Sequence, residues 1–149
     1  MKKSELRQKY LTIRSNVKDR GLKDKEILNQ LLNIKELVNS DLILSYVSFN
    51  EEVDTVNFIK QVLPFKKVAV PRIEDSKMNF YIISSLDELK KGYFNILEPI
   101  TTTKVENFNN SCCIVPGICF NKEGYRIGYG KGYYDQFLND YPGYTIGLC

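Results

Sequence analysis

The sequence predicts an α/β sandwich, with helical layers on both sides of a largely parallel, mixed central sheet. Two observations predict it. Apolar runs of strand length alternate along the chain with stretches whose apolar residues recur at helical spacing. The run at 41–49 is nearly continuous rather than alternating, the pattern of a strand covered on both faces.

The elements follow in order. Residues 3–18 read as a helix on Leu6, Tyr10, Leu11 and Ile13, ended by Gly21. A second helix is expected from Lys23 to Val38 on Ile27, Leu28, Leu31, Leu32, Ile34 and Leu37, followed by a turn at Asn39-Ser40-Asp41. Asp41 to Phe49 forms the first strand. Asp54 or Thr55 caps a helix running to Leu63, where Pro64 stops it. Lys67 to Ile73 is the second strand, with Pro71 near its end, and Met78 to Ser84 the third. Leu86 to Lys91 reads as a short helical piece ended by Gly92, and 100–111 as a polar connection. Cys112 to Phe120 is a buried strand broken at Pro116-Gly117. A glycine-rich loop at 124–132, a helix from Tyr133 to Asn139 and a last strand from Tyr144 to Cys149 complete the chain. No repeat, low-complexity segment or linker divides it, so 1–149 is expected to be one domain, a three-layer α/β/α sandwich of Rossmann-like type. The chain stops in or directly after an apolar strand, where a domain more often ends in a polar tail or a docked helix.

Composition narrows the chemistry. At 43% hydrophobic and 26% charged residues with a net charge of +3, the chain is an ordinary globular protein. Residues 1–40 carry ten Lys/Arg against five Asp/Glu, a basic segment suited to an anionic ligand and equally to a solvated helix face. No recognised nucleic-acid motif is present, and no nucleic-acid partner is expected. There is no histidine, which excludes Ser-His-Asp and Cys-His catalysis. Cys112, Cys113, Cys119 and Cys149 form no CxxC spacing, so a zinc site is not expected. The N-terminus is charged rather than apolar, and no apolar stretch approaches the roughly 20 residues that span a bilayer. A reduced cytoplasm is the expected setting, with no membrane partner and a monomeric or weakly dimeric state.

The sharpest chemical feature is Arg126-Ile-Gly-Tyr-Gly-Lys-Gly-Tyr-Tyr-Asp135. Glycines alternate at Gly128, Gly130 and Gly132 directly before a helix start, so successive backbone N–H groups can form an anion-binding nest. Arg126 and Lys131 add positive charge, and Asp135 is a carboxylate able to hold a magnesium ion that bridges phosphates. The spacing is neither GxxxxGK[ST] nor GxGxxG, so neither nucleotide motif applies. A tight turn with Asp135 as a surface or capping residue fits the same residues. Lys3 and Arg7 lie four apart on one helix face and can clamp a phosphate chain. Glu51, Glu52 and Asp54 follow the first strand, at the sheet edge where ligands bind in α/β proteins. They equally suit the first turn of a helix.

These segments together resemble one family. Pro116 to Leu138 is similar to the signature PGxAFDxxGxRLGYGxGYYDxxL of the 5-formyltetrahydrofolate cyclo-ligases, also called methenyltetrahydrofolate synthetases. Lys3-Ser-Glu-Leu-Arg7 resembles the family's KxxxR element, Glu52-Val-Asp-Thr55 its EVxT segment and Gly92 to Pro99 its GxxxIxEP segment, all in the family's order. Two positions depart, Cys119 in place of Ala and Asn121 in place of Asp. Family members run on beyond the strand matching Tyr144 to Cys149, with a further strand and an acidic residue that helps bind the metal. On that comparison the chain lacks the family's C-terminal end.

The resemblance implies an ATP- and Mg²⁺-dependent conversion of 5-formyltetrahydrofolate to 5,10-methenyltetrahydrofolate, ADP and phosphate. The formyl oxygen takes the γ-phosphoryl group, N10 closes the ring and phosphate leaves. Carried over by position, Lys3, Arg7, Arg126, Gly128, Gly130, Lys131, Gly132 and Tyr134 would bind ATP, with Lys131, Arg126 and Tyr133 acting in catalysis. Asp135 would ligate magnesium. Val47, Glu52, Tyr129 and Tyr133 would contact the folate. A remnant that binds nucleotide or folate with weak or no turnover is the alternative.

Overall fold

A computed structural model describes residues 2–92, 95–128 and 130–148 and shows the expected α/β sandwich. Five strands form the central sheet: β1 (Leu42–Ser45), β2 (Lys67–Glu74), β3 (Lys77–Ile83), β6 (Ser111–Val115) and β9 (Tyr144–Gly147). Their spatial order is β3-β2-β1-β6-β9. The β1–β2, β1–β6 and β6–β9 pairs are parallel, and only β2–β3 is antiparallel. Two short hairpins complete the strands: β4 (Leu89–Lys91) with β5 (Leu97–Pro99), and β7 (Cys119–Phe120) with β8 (Arg126–Ile127).

The nearly continuous apolar runs are strands buried on both faces. Ile43, Val68, Val70, Cys112 and Ile114 point to one side. There they meet α2 (Arg20–Leu32), α3 (Lys35–Val38) and α4 (Val56–Val62) through Leu31, Leu37, Phe58, Ile59 and Val62. Leu42, Leu44, Ala69, Cys113 and Val115 point to the other, against Phe137 and Leu138 of α5 (Tyr133–Asn139) and Val105 and Phe108 of the connection before β6. The period-2 alternation of strand side chains makes two cores from one apolar run. Burial pushes the Cys112 thiol up to about 11 and the Cys113 thiol higher still, so both are inert as nucleophiles.

Several boundaries differ from the sequence expectation. The first helix, α1 (Lys3–Ser15), ends earlier, and α2 starts at Arg20 with Gly21 inside its first turn. The break falls instead at 16–19, where Asp19 takes a left-handed conformation at φ 55°. A second break at Asn33-Ile34 separates α3 from α2. The 86–91 stretch is one 3₁₀ turn (Leu86–Glu88) followed by β4, because Leu89 turns extended and pairs with Pro99. The 100–111 connection is not loose. Val105 N–H donates to the Phe80 carbonyl at 2.8 Å and Ile82 N–H to the Thr103 carbonyl at 2.9 Å, sealing the outer edge of β3.

After β1 the chain leaves the sheet at Tyr46, and Thr55 fixes the departure. Its Oγ1 donates to the Tyr46 carbonyl at 2.7 Å and accepts from Ser48 N–H at 2.9 Å, fully buried. Capping of α4 falls to Asp54, whose Oδ1 accepts from Val56 N–H at 2.9 Å. Thr55→Val keeps the shape and removes both bonds. Denaturant titration is expected to show a loss of about 1–2 kcal/mol.

Candidate active site

From β1 the chain passes by α4 to β2 on one side, and later returns to place β6 on the other side of β1. That reversal opens a crevice outside the carboxyl ends of β1 and β6, the usual ligand site of such sheets. A cleft of about 540 Å³ lies there, with Tyr46 and Val47 following β1 and Pro116 following β6 in its wall.

On the β6 side stands the glycine-rich loop. Gly128, Gly130, Lys131, Gly132, Tyr133, Tyr134 and Asp135 all line the cleft. Gly130 adopts φ +96°, a conformation that a side chain would strain. Arginines reach the backbone of the loop and of the segment after β6. Arg7 Nε donates to the Gly128 carbonyl at 2.8 Å, and Arg14 donates to the Gly117 and Ile118 carbonyls. Arg126 Nη1 donates to the Pro116 carbonyl at 3.0 Å, and its Nη2 pairs with Asp135 Oδ1 at 3.1 Å. The Arg126 side chain is 11% exposed and its Nε is buried without a hydrogen-bond partner.

Tyr134 lies beneath the loop with its ring edge-on to Phe80, 6.5 Å between centroids. Its hydroxyl is also buried without a partner. Burial, reinforced by the nearby Cys113, Glu52 and Tyr46, raises its ionisation well above the ordinary tyrosine value, against a smaller opposing effect of Arg126. It therefore remains a neutral O–H donor.

On the β2–β3 side the wall turns apolar, with Pro71, Ile73, Met78 and Ile96. Glu51, Glu52 and Glu98 bring carboxylates to the cleft. Glu52 accepts from Phe49 N–H at 2.8 Å through Oε1, and Glu98 accepts from Ile73 N–H at 3.0 Å through Oε2.

The structure thus gathers Arg7, Val47, Glu52, Arg126 and most of the glycine loop around one cleft. Lys3 does not join them: it is exposed at the start of α1 and outside the cleft wall. Tyr129 lies outside the described residues. Arg14, Met78 and Glu98 line the cleft and were not singled out from sequence. Arg14 had a readable signal, since seven residues from Arg7 is two helical turns on the same face.

No cluster of three potential metal-ligating side chains exists among the described residues. Asp135 offers one carboxylate, with its side chain 71% exposed. One exposed carboxylate beside a cationic, glycine-lined wall fits a magnesium ion carried in on phosphates and does not fit a protein-made metal cage.

Fold and cleft together define an α/β protein with a cleft at the carboxyl edge of a mostly parallel sheet. One end of the cleft is lined by glycines and cationic side chains, the other by apolar side chains and carboxylates. Residues 1–147 match the model of the 5-formyltetrahydrofolate cyclo-ligase family, and the chain belongs to that enzyme family. It is 33% identical over 118 residues to the mitochondrial 5-formyltetrahydrofolate cyclo-ligase of Arabidopsis thaliana, a match covering 66% of this chain and 43% of that protein. It is 30% identical over 136 residues to the 5-formyltetrahydrofolate cyclo-ligase of Mus musculus, covering 80% and 67%. The NMR structure of Aquifex aeolicus 5,10-methenyltetrahydrofolate synthetase superposes with a TM-score of 0.90 at 33% identity, covering 100% of this chain and 78% of that one. The matched stretch thus spans less than half of the plant relative and about two thirds of the mouse relative.

Proposed function

We propose that the chain converts 5-formyltetrahydrofolate to 5,10-methenyltetrahydrofolate with consumption of ATP and release of ADP and phosphate. Family membership supports the overall reaction. The observation that carries the residue roles is the two-sided cleft, cationic and glycine-lined beside β6, apolar with carboxylates beside β2.

In this reading the triphosphate lies along Gly128–Gly132, with Arg7 and Lys131 beside it and Arg126 at its reactive end. Lys3, one turn before Arg7, extends the basic face toward solvent. Magnesium bound to the triphosphate supplies charge neutralisation, and Asp135 would hold it. The pterin occupies the apolar end against Val47, and the Glu52 carboxylate accepts hydrogen bonds from its amino-pyrimidine edge. Tyr133 and Tyr129 stand where folate and triphosphate meet.

The formyl oxygen attacks the γ-phosphorus in line and ADP leaves. N10 then attacks the activated formyl carbon and loses its proton, and phosphate departs with the former formyl oxygen. Such a transfer asks the protein mainly for position and charge stabilisation, which explains a site with no histidine and no reactive thiol. The buried, partnerless Arg126 Nε and Tyr134 hydroxyl are donors kept for a ligand in a water-poor wall, where they count for more than in water.

Among the described residues no helix is long and apolar enough to cross a membrane. We read the chain as acting in the cytoplasm as a monomer or weak dimer, without nucleic-acid or membrane partners.

The test is formation of methenyl product, followed by its absorbance, from 5-formyltetrahydrofolate and Mg-ATP. Lys131→Ala and Asp135→Ala are each expected to lower turnover by roughly 100-fold or more. Turnover at the parental rate in both variants would remove the phosphate and metal roles.

A further inference from the structure

The three glycines of the loop differ in what requires them. Gly130 and Gly132 adopt φ +96° and +76°, where a side chain strains the backbone. Gly128 has no positive φ, so its conformation alone would admit an alanine. Its surroundings would not. A Cβ at 128 would lie 2.6 Å from Arg126 Nη1 and 3.4 Å from the guanidinium carbon. Arg126 ends β8 one residue before Ile127, and Gly128 follows directly, two positions on. That is the spacing that puts neighbouring side chains on one face of an extended chain.

The head group in that space is set from several sides. Nη1 donates to the Pro116 carbonyl at 3.0 Å, Nη2 pairs with Asp135 at 3.1 Å, and the guanidinium carbon lies 5.6 Å from the centre of the Tyr134 ring. The side chain is 11% exposed, and Nε is buried with no hydrogen-bond partner. The guanidinium is a rigid plane, so a push on Nη1 also re-aims the unpartnered Nε–H. Resting on the cyclo-ligase reading of this cleft, in which Arg126 acts at the reacting oxygens, we infer that Gly128 is a positioning residue for the reaction. It leaves open the space in which the Arg126 guanidinium lies, and so sets the aim of its free N–H. An alanine at 128 would displace the far end of a flexible side chain rather than backbone. The fold would persist while the donor lost its direction, and a donor contributes to a transition state only when it is aimed beforehand.

Gly128→Ala tests this with two readouts. The first is independent of turnover. The buried Arg126 Nε–H of the parent should give a side-chain NMR resonance protected from solvent exchange, assigned by its loss in Arg126→Ala. In Gly128→Ala that resonance should shift and lose protection, with the thermal midpoint retained. The second is a double-mutant cycle in steady-state kinetics. Gly128→Ala should lower kcat about tenfold or more while both KM values stay within about threefold. In an Arg126→Ala background the same change should cost less than about twofold, since both substitutions act on one group. An unchanged resonance overturns the inference. So does a loss that persists in full without Arg126, the mark of a backbone role for Gly128, and so does a kcat within about threefold of the parent. If Gly128→Ala does not fold, its combination with Arg126→Lys decides, because the slimmer ammonium lacks the fork that meets the new Cβ. Recovery of folding there supports the inference, and continued unfolding overturns it. A parent with no turnover of 5-formyltetrahydrofolate overturns the cyclo-ligase reading and the catalytic role of Gly128 with it, while the resonance still reports whether residue 128 places Arg126.

Discussion

Arg126→Ala is expected to lower turnover by roughly 10²–10³-fold, the scale of losing one preorganised donor aimed at charge that develops in the transition state. Three observations set this expectation. The guanidinium is nearly buried, its Nε is partnerless, and its other nitrogens join the Pro116 carbonyl to Asp135 across the cleft wall. Removing it deletes a positive charge, releases Asp135 and leaves the Pro116 carbonyl without this donor. Steady-state kinetics with each substrate varied should place the loss mainly in kcat, because in the proposed mechanism the group acts where phosphoryl and formyl oxygens meet. Arg126→Lys should recover only a small part, since an ammonium cannot span two acceptors with a planar fork. A kcat within about threefold of the parent would show that the buried guanidinium serves the fold alone.

Phe80→Ala is expected to cost about 3–5 kcal/mol, a large share of the roughly 5–15 kcal/mol that holds a typical domain together. Phe80 is 1% exposed and supports α5 from the sheet, 4.7 Å from the Phe137 ring and edge-on to Tyr134. Phe137 in turn stacks on Tyr141 at 5.4 Å, so the void would open beneath a whole aromatic cluster. The denaturation midpoint should fall with an unchanged slope, the signature of lost stability rather than a changed unfolded state. Tyr134 belongs both to this cluster and to the cleft wall, so weaker Mg-ATP binding should accompany the loss. Phe65→Ala is the control. That ring is 85% exposed, and its removal should change stability by no more than about 0.5 kcal/mol.

What the sequence made legible was local. The glycine loop, its cations and α5 follow from one continuous stretch, 124–139, and the α5 boundaries at Tyr133 and Asn139 agree. The buried strands were readable because both faces are apolar. The first of them was overextended: Tyr46 and Val47 are as apolar as β1, but they leave the sheet to form the cleft wall. No local signal separates those two fates. β4 was read as helix because Leu89-Lys90-Lys91 has no strand pattern of its own and is extended only through its pairing with β5. Glu98 and Met78 stayed hidden for a related reason. Glu98 falls within the segment matched at 92–99, though that match gave it no role, and Met78 is unremarkable in its own; each enters the site through long-range packing rather than composition.

The place of α1 depends on residues far along the chain. No side chain of α1 is buried, and its ties to the rest run through Arg7 and Arg14 to carbonyls 121 and 103 residues further along the chain. A segment with so little apolar burial opens at small cost while the sheet stays intact. Its arginine bonds can form only once the segments around Gly117 and Gly128 are in place, and an anion held between α1 and the glycine loop would favour the docked state. Occupancy of the cleft and order of the N-terminus are then one equilibrium, each raised by the other through mass action.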